Sequence, residues 1–388
     1  MIAQTDLNRT GVTASENWLQ TNQRLHQLLH QNNQPELALN MALEILINGE
    51  FQARWEVAKV FPKLGEKAIF PLMDILNDEE ADLESRWFAG RILGEFNHPE
   101  VIASLVNLLQ TTKEEELAAI AANALANLGN ASIEVLSDLL PQPDSRRLAT
   151  FALAQIRHPG VIDPLLTVVK DENALVRATA IEALSSFNDP RVPSILLEGL
   201  NDPAAIVRKE AVTGLGLKSE QAEELDLITH LQPLLYDLNL EVCQQSALAL
   251  GRLASDAAAK ALLSVLKSPL TPIPLQTTLI QSLGWMETPV SLDYLQQALP
   301  YVAPESILEI IRILGRVENP DLKAKAAQSL LDFFYSGHPM IDTPPIKRAL
   351  AYAWGQLEAT TAVFALEQLT EDADAGVRIH AISALKSC

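Results

Sequence analysis

The chain has 388 residues, of which 48% are hydrophobic but only 5% aromatic, so its core must be built mainly from Leu, Ala, Ile and Val. Its net charge of -20 would repel a phosphate backbone, which argues against nucleic acid as a partner and favours a monomer. No stretch approaches the ~18 apolar residues of a membrane span, and the opening residues lack the apolar centre of a signal peptide. Two cysteines cannot form a disulfide framework, so we expect a cytoplasmic protein.

The N-terminal region divides into two predicted segments. Residues 1–14 are polar and lack a helix-capping pattern, and we expect them to form a disordered tail. Residues 15–35 include an amphipathic stretch that we expect to form an N-terminal capping helix. The rest of the chain, 36–388, carries a repeated pattern.

This pattern is a hydrophobic frame that begins eleven times. With Arg177 as its first position, small or apolar residues follow 3, 6, 7 and 10 positions later, on one face of an α-helix. Successive frames begin 28 to 40 residues apart, which is the length of two helices joined by tight turns. The first positions are Arg54, Arg86, Ala118, Arg146, Arg177, Arg208, Cys243, Gln276, Ile307, Lys347 and Arg378.

A second set of apolar segments lies between these helices, for example at 69–76, 101–109, 161–169, 192–200 and 258–266. Several follow a proline, as at Pro99, Pro159, Pro289 and Pro320, where the missing N–H is harmless because a helix begins there. The alternation predicts an all-α fold, a right-handed α-solenoid of about eleven helical-hairpin repeats.

The longest interval between frames contains the sequence SGHPMIDTPP and predicts an enlarged loop near 336–346. An enlarged loop in a solenoid is either an ordinary insertion or a finger that contacts a specific partner. The sequence leaves both alternatives open.

Three segments carry a specific resemblance. DENALVRATAIEALSSF, NDPAAIVRKEAVTGLG and EDADAGVRIHAISAL share an Asp...Val-Arg...Ala...Ala-Leu pattern that resembles HEAT repeats of the cyanobacterial PBS-lyase HEAT-like subset. The pattern decays where Cys243, Gln276 and Ile307 replace the arginine. The resemblance covers about residues 36–388 and implies HEAT-like hairpins, but a fold of this kind does not identify a function.

Motifs of conventional active sites are missing from the sequence. It contains no CxxC or HExxH metal motif, no phosphate-binding or dinucleotide-binding glycine loop and no GxSxG element. We therefore predict no catalytic residue and expect a non-enzymatic scaffold that binds another protein through its concave surface, since each repeat contacts only its neighbours and leaves a long surface free.

The first two frames predict a strip of aromatic and basic residues. Tryptophan follows the frame arginine in both repeats, and a basic residue lies four positions further, so these side chains share one helix face. Such residue types are enriched in binding hot spots, although the tryptophans could equally pack between hairpins. The predicted binding residues are Arg54, Trp55, Lys59, Arg86, Trp87 and Arg91.

Within this strip, residues 86–94 (RWFAGRILG) resemble a stretch of bilin lyase subunits of the phycocyanin type. This resemblance implies an alternative function: a phycobilin lyase or isomerase subunit with bilin as its ligand and a phycobiliprotein subunit as its partner. If the chain is an enzyme, it would be of this type. A further alternative is a structural adaptor of a light-harvesting assembly.

The two cysteines predict a different chemistry. Cys388 is the last residue printed, and a terminal thiol suits donation of a ligand to a metal centre held mainly by a partner. Cys243 replaces a frame arginine near a helix N-terminus, which would lower the pKa of its thiol. Either cysteine could also be simply a small neutral residue. They lie more than four repeats apart, so a metal role must be intermolecular.

A HEAT chain with a C-terminal cysteine is similar to HEAT-repeat helpers of A-type iron-sulfur carriers. This similarity implies an IscA-type iron-sulfur carrier as the partner and an iron-sulfur cluster shared with it, bound near Cys388. We expect no cofactor in the isolated chain.

Overall fold

The computed structural model describes residues 21, 23–25, 27, 28 and 34–387. The predicted tail 1–14, most of the predicted capping segment 15–35 and Cys388 lie outside the described residues. Within the described part, the secondary structure consists of α-helices and short 3-10 turns. The chain divides into two compact units, 1–187 and 188–388.

In the first unit the described residues of 21–28 are helical, and residues 34–187 contain eleven further α-helices. They are α1 (Pro35–Asn48), α2 (Phe51–Ala58), α3 (Phe61–Leu64), α4 (Ile69–Asn77), α5 (Leu83–Leu93), α6 (Pro99–Thr111), α7 (Glu115–Asn127), α8 (Ile133–Leu139), α9 (Pro143–Gln155), α10 (Ile162–Leu166) and α11 (Ala174–Ser185). The 3-10 turns Gly65–Ala68, Gly129–Ser132 and Pro159–Val161 lead directly into α4, α8 and α10.

The second unit contains twelve α-helices in its described residues. They are α12 (Val192–Gly199), α13 (Ala205–Gly216), α14 (Leu227–Leu231), α15 (Leu240–Leu253), α16 (Asp256–Leu266), α17 (Ile273–Met286), α18 (Pro289–Ala298), α19 (Pro304–Gly315), α20 (Pro320–Phe334), α21 (Pro344–Leu357), α22 (Val363–Thr370) and α23 (Ala375–Ala384). The 3-10 turns are Ser219–Gln221, Gln232–Tyr236, Pro339–Asp342 and Thr360–Ala362.

Every predicted frame lies in the second helix of a hairpin, so the predicted hairpin pattern is confirmed. In the first unit these second helices are α2, α5, α7, α9 and α11, and each packs against the next. In the second unit α13, α15, α17, α19, α21 and α23 do the same. The apolar frame positions face inward: Ala180 and Leu184 in α11 are fully buried. Burial of one leucine side chain contributes about 1.5–3 kcal/mol. Because these side chains are buried against adjacent helices, each hairpin is stabilised chiefly by its neighbours.

The first position of the frame has a common structural role that the sequence did not reveal. The guanidinium groups of Arg177, Arg208 and Arg378 each donate to a main-chain carbonyl six residues earlier, at 2.7–2.8 Å, and so tie the helix to the turn before it. At two positions where another residue replaces the arginine, an equivalent bond forms: the Gln276 amide donates to the Thr271 carbonyl at 3.0 Å, and the Cys243 thiol donates to the Asp237 carbonyl at 3.1 Å. At these two positions the residue type changes, but a side-chain donor that closes the turn is kept.

The same position links consecutive repeats. The shortest distances between cation and carboxylate are 2.8 Å for Arg54–Asp82 and 2.7 Å for Arg146–Asp171, Arg208–Asp237 and Lys347–Asp372. Hydrogen bonds from the Arg208 side chain hold the pKa of Asp237 below its usual range. These half-buried pairs fix the register between neighbouring hairpins and leave other surface positions free for binding.

Close approach between second helices depends on glycine. A Cβ atom built on Gly94, at the end of α5, would lie 2.9 Å from the Ala124 Cα in α7. A Cβ on Gly315 would lie 2.6 Å from the Ala353 Cβ, across the contact of α19 with α21. Both distances are too short for carbon atoms in contact, so glycine lets these backbones meet.

The segment 336–346 is largely occupied by ordered elements. Pro339–Asp342 form a 3-10 turn, the His338 ring accepts a hydrogen bond from the Met340 N–H, and α21 begins at Pro344. Ile341 is buried beneath this turn. A contact of this segment with a partner stays a prediction.

Candidate protein-binding surface

The structure separates the six predicted binding residues into a framework group and a surface group. Arg54 belongs to the framework, because it is only 6% exposed. Its Nη1 donates to Asp82 Oδ1 at 2.8 Å and to Glu84 Oε2 at 2.6 Å, and its Nη2 donates to the Ile47 carbonyl at 2.8 Å. These bonds join α1, α2 and the start of α5, and we assign Arg54 to the framework of the hairpins.

Arg86 also points back into its own repeat. Its Nε donates to the Leu76 carbonyl at 3.0 Å, which closes the turn between α4 and α5. The side chain is half-buried. Its hydrogen bond is thus the local equivalent of the turn-closing bonds made by the later frame arginines.

Trp55 and Arg91 come together across two neighbouring second helices. The Arg91 guanidinium carbon lies 4.3 Å from the centroid of the Trp55 ring. Both side chains are half-buried, so each keeps a face towards solvent. A cation–π contact at such a site contributes about 0.5–1 kcal/mol, and it orients the guanidinium over the ring.

Two phenylalanines complete an aromatic cluster around this contact. Phe51 stacks on Trp55 with ring centroids 6.1 Å apart, and Phe88 lies 5.6 Å from Phe51 and 5.1 Å from Trp87. Phe88 is fully buried and forms the floor, whereas Phe51 is 55% exposed. We call the outer residues Phe51, Trp55, Trp87 and Arg91 the Trp55 patch.

Phe51 and Phe88 were not among the residues predicted from the sequence. Phe51 does carry a readable signal, because it precedes Trp55 by one helical turn and must share its face. Lys59, the remaining predicted residue, is exposed and forms an ion pair with Glu56 at 2.9 Å within its own helical region. Lys59 therefore lies near the end of α2, where Glu56 neutralises its charge, and it is not a member of the aromatic cluster.

The expectation for the Cys243 thiol is wrong. Cys243 is 4% exposed, and burial, together with the charge of Asp237, raises the pKa of its thiol instead of lowering it. Its Sγ donates to the Asp237 carbonyl in the turn, which orients the thiol towards the protein interior. Cys388, the other predicted metal ligand, lies outside the described residues.

The described ranges contain no group of three or more His, Cys, Asp or Glu residues arranged to hold a metal ion. In that same part of the chain, no helix is long and apolar enough to cross a membrane.

Comparisons with known proteins agree with this architecture. A family model described as HEAT repeats matches residues 69–147 and 133–216. A 76-residue stretch is 29% identical to the sister chromatid cohesion protein mis4 of Schizosaccharomyces pombe; the match covers 18% of this chain and 5% of that protein.

Two solved structures share the fold over nearly the whole chain. A chain from a structure of Kap95p binding to RanGDP has a TM-score of 0.61 and 14% identity, covering 97% of this chain and 61% of that one. Importin beta has a TM-score of 0.54 and 13% identity, covering 96% and 60% respectively. The chain thus spans about three fifths of each, and such low identity shows the fold alone. The chain is an all-α solenoid of helical hairpins, and its residues 69–216 match the model of HEAT repeats.

Proposed function

We propose that this protein is a non-catalytic HEAT-repeat scaffold that binds a protein partner through the Trp55 patch. The observation that carries the proposal is the Arg91 guanidinium held over the Trp55 ring, beside the exposed ring of Phe51. Tryptophan and arginine dominate the energetics of protein interfaces, and a preorganised pair loses little conformational entropy on binding.

The charge of Arg91 is also available to a partner. Within the described residues, Arg91 forms no ion pair, although the chain carries a net charge of -20. The patch therefore combines apolar area with a cation that can receive a carboxylate from the partner. Arginine and aromatic residues are enriched in protein interfaces. The Trp55 patch has this composition, although the protein as a whole is acidic.

Within this function we propose an IscA-type iron-sulfur carrier as the partner, with Cys388 near the cluster. The support is the similarity of this chain to HEAT-repeat helpers of such carriers. Cys243 is not part of this proposal, because its buried, protonated thiol is a poor metal ligand.

The alternative proposal of a bilin lyase subunit gains support from the Trp55 patch. Its flat rings and Arg91 are of the types that would contact a tetrapyrrole and one of its propionates. A structural adaptor of a light-harvesting assembly would use the same patch for protein contact alone.

The experiment is anaerobic affinity capture from extract of the native cells with three chains: wild type, Trp87→Ala and Phe70→Ala. Phe70 is the matched control, because its exposed ring lies on α4, the first helix of a hairpin in the same unit and not a second helix such as α2 or α5. We expect the partner to be lost with Trp87→Ala and kept with Phe70→Ala. Equal recovery with all three chains would remove the Trp55 patch from the function.

The same capture separates the partner classes. The carrier proposal is supported if an iron-sulfur carrier is captured and the complex is brown. Cys388→Ser should then remove the brown colour while the carrier stays bound. A bilin-coloured phycobiliprotein subunit that depends on Trp87 supports the lyase, and a colourless assembly protein supports the adaptor.

A further inference from the structure

The second unit contains a cavity whose charge is opposite to that of the whole chain. It has a volume of about 400 Å³ and opens on the second helices α19, α21 and α23. Three arginines and a histidine line it, and no Asp or Glu does: the polar lining residues include Arg312, Arg316, Arg348 and His380. We call it the arginine cavity.

These arginines are only weakly neutralised by the protein. Arg312 has one contact with a carboxylate, at 3.7 Å to Glu309, and its side chain is 60% exposed. Arg316 and Arg348 form no ion pair with any described residue, and Arg348 donates only to the Pro344 carbonyl at 3.3 Å. In a chain with 49 acidic residues, two arginines without an ion pair share this cavity with a third whose one ion pair is long, and this excess of positive charge marks a site for an external anion.

The floor of the cavity is apolar. Leu308, Ala349 and Ala353 line it between the arginines, and the exposed ring of Tyr352 stands at its side. Pro344 and Pro345 occupy the start of α21, so this end of the helix does not offer main-chain N–H groups from those two residues. The cavity therefore fits a carboxylate attached to an apolar body better than an isolated phosphate, which favours converging main-chain donors.

A second cavity of about 290 Å³ shares Arg316 with the first. It lies between α17 and α19, and Trp285, which is 64% exposed, forms one wall. Glu287 and Glu309 also line it, so it suits an apolar or aromatic side chain rather than a second anion. The two cavities together extend across four consecutive second helices, α17, α19, α21 and α23.

We propose that the two cavities bind an extended segment of a protein partner that places acidic side chains among the three arginines and an apolar side chain against Trp285. Neighbouring helices lie about 8–10 Å apart, so the groove is roughly 24–30 Å long. An extended peptide of about eight residues spans that length. This site lies within the second unit, and the inference goes beyond the proposed function because it does not depend on the Trp55 patch.

The test is fluorescence anisotropy of the full chain with a labelled octapeptide that alternates glutamate with leucine and phenylalanine. The matched control peptide has glutamine at every glutamate. We expect the acidic peptide to bind, the glutamine peptide to bind at least about tenfold more weakly, and added salt to weaken the acidic complex because these charges are near the surface.

Variants of the chain locate the site. Arg316→Gln and Arg348→Gln should each weaken peptide binding about fivefold, whereas Arg348→Lys should retain most of it. Arg252→Gln is the matched control, an exposed arginine on the second helix α15 that lines neither cavity, and it should bind as the wild type does. Helix content from circular dichroism verifies that each variant is folded. Trp87→Ala should leave this peptide affinity unchanged, which separates this test from that of the proposed function.

Four results of the peptide experiment would overturn the proposal. They are no binding of the acidic peptide, equal binding of the glutamine peptide, an equal loss with Arg252→Gln, or at least tenfold tighter binding of a phosphoserine version, which would assign the site to phosphorylated segments. Self-association of the chain that Arg316→Gln abolishes, measured by sedimentation, would instead identify a second copy as the occupant.

Discussion

Replacement of Gly94 by alanine tests the close contact between α5 and α7. The new Cβ would lie 2.9 Å from the Ala124 Cα and 3.0 Å from its Cβ, both on or next to the backbone of α7. Helix propensity favours alanine over glycine by about 1 kcal/mol in a helix interior and by less at its end. Overpacking against a rigid neighbour costs about 1–3 kcal/mol. We therefore expect Gly94→Ala to lower the free energy of unfolding by about 1–2 kcal/mol.

Gly90→Ala is the matched control in the same helix. Its Cβ would lie 3.2 Å from Leu76 Cδ1 and 3.3 Å from Ile120 Cγ2, which are ends of flexible side chains. These atoms can shift by a few tenths of an ångström, so the propensity gain should leave this variant as stable as the wild type or more so. Urea unfolding with an unchanged m value gives both numbers. Equal stability of the two variants would refute the close contact of α5 with α7.

Three further predictions follow from polar groups in the framework. Because the pKa of Asp237 is held below its usual value of 3.8, its pair with Arg208 stabilises the fold above that pH, and this stabilisation is lost as the pH falls below it. Asp237→Asn should therefore lower the urea midpoint at pH 6, and the difference in midpoint between variant and wild type should shrink towards pH 3. A difference that stays constant with pH would contradict the ion pair. In a Cys388→Ser background, the buried Cys243 thiol with its raised pKa should react slowly with Ellman's reagent at pH 8 and rapidly once urea unfolds the chain, and fast reaction of the native protein would show that the thiol is exposed. Gln276→Leu removes two hydrogen bonds to main-chain atoms from a buried site and should lower the free energy of unfolding by about 2–4 kcal/mol in a denaturant titration, whereas a neutral effect would show that water or other groups replace those bonds.

The helical architecture was predictable because burial imposes a 3.6-residue period on each second helix. Eleven frames therefore located eleven helices from sequence alone. The direction of individual side chains was not predictable in the same way. Arg54 and Arg91 belong to the same pair of repeats, yet Arg54 turns inward because Asp82 and Glu84, some thirty residues later, meet it across the hairpin contact.

Contacts between repeats also explain what the sequence analysis missed. Phe88 is the buried floor of the Trp55 patch only because α2 and α5 are neighbours. Arg316 and Arg348 lie in repeats whose first positions are Ile307 and Lys347 instead of arginine, so the repeat pattern did not indicate these two arginines as binding residues. Cys243 looked like a surface residue because it replaces an arginine, but the position serves the turn-closing hydrogen bond.

Hydrogen–deuterium exchange of the chain, alone and with its captured partner, tests the binding surface most directly. Exchange reports main-chain protection in each helix separately. We predict that the partner increases protection in α2 and α5, which carry Phe51, Trp55, Trp87 and Arg91, and leaves α4, the first helix of its hairpin, unchanged. Protection confined to α4 and α6, with α2 and α5 unaffected, would contradict the claim that the Trp55 patch binds the partner.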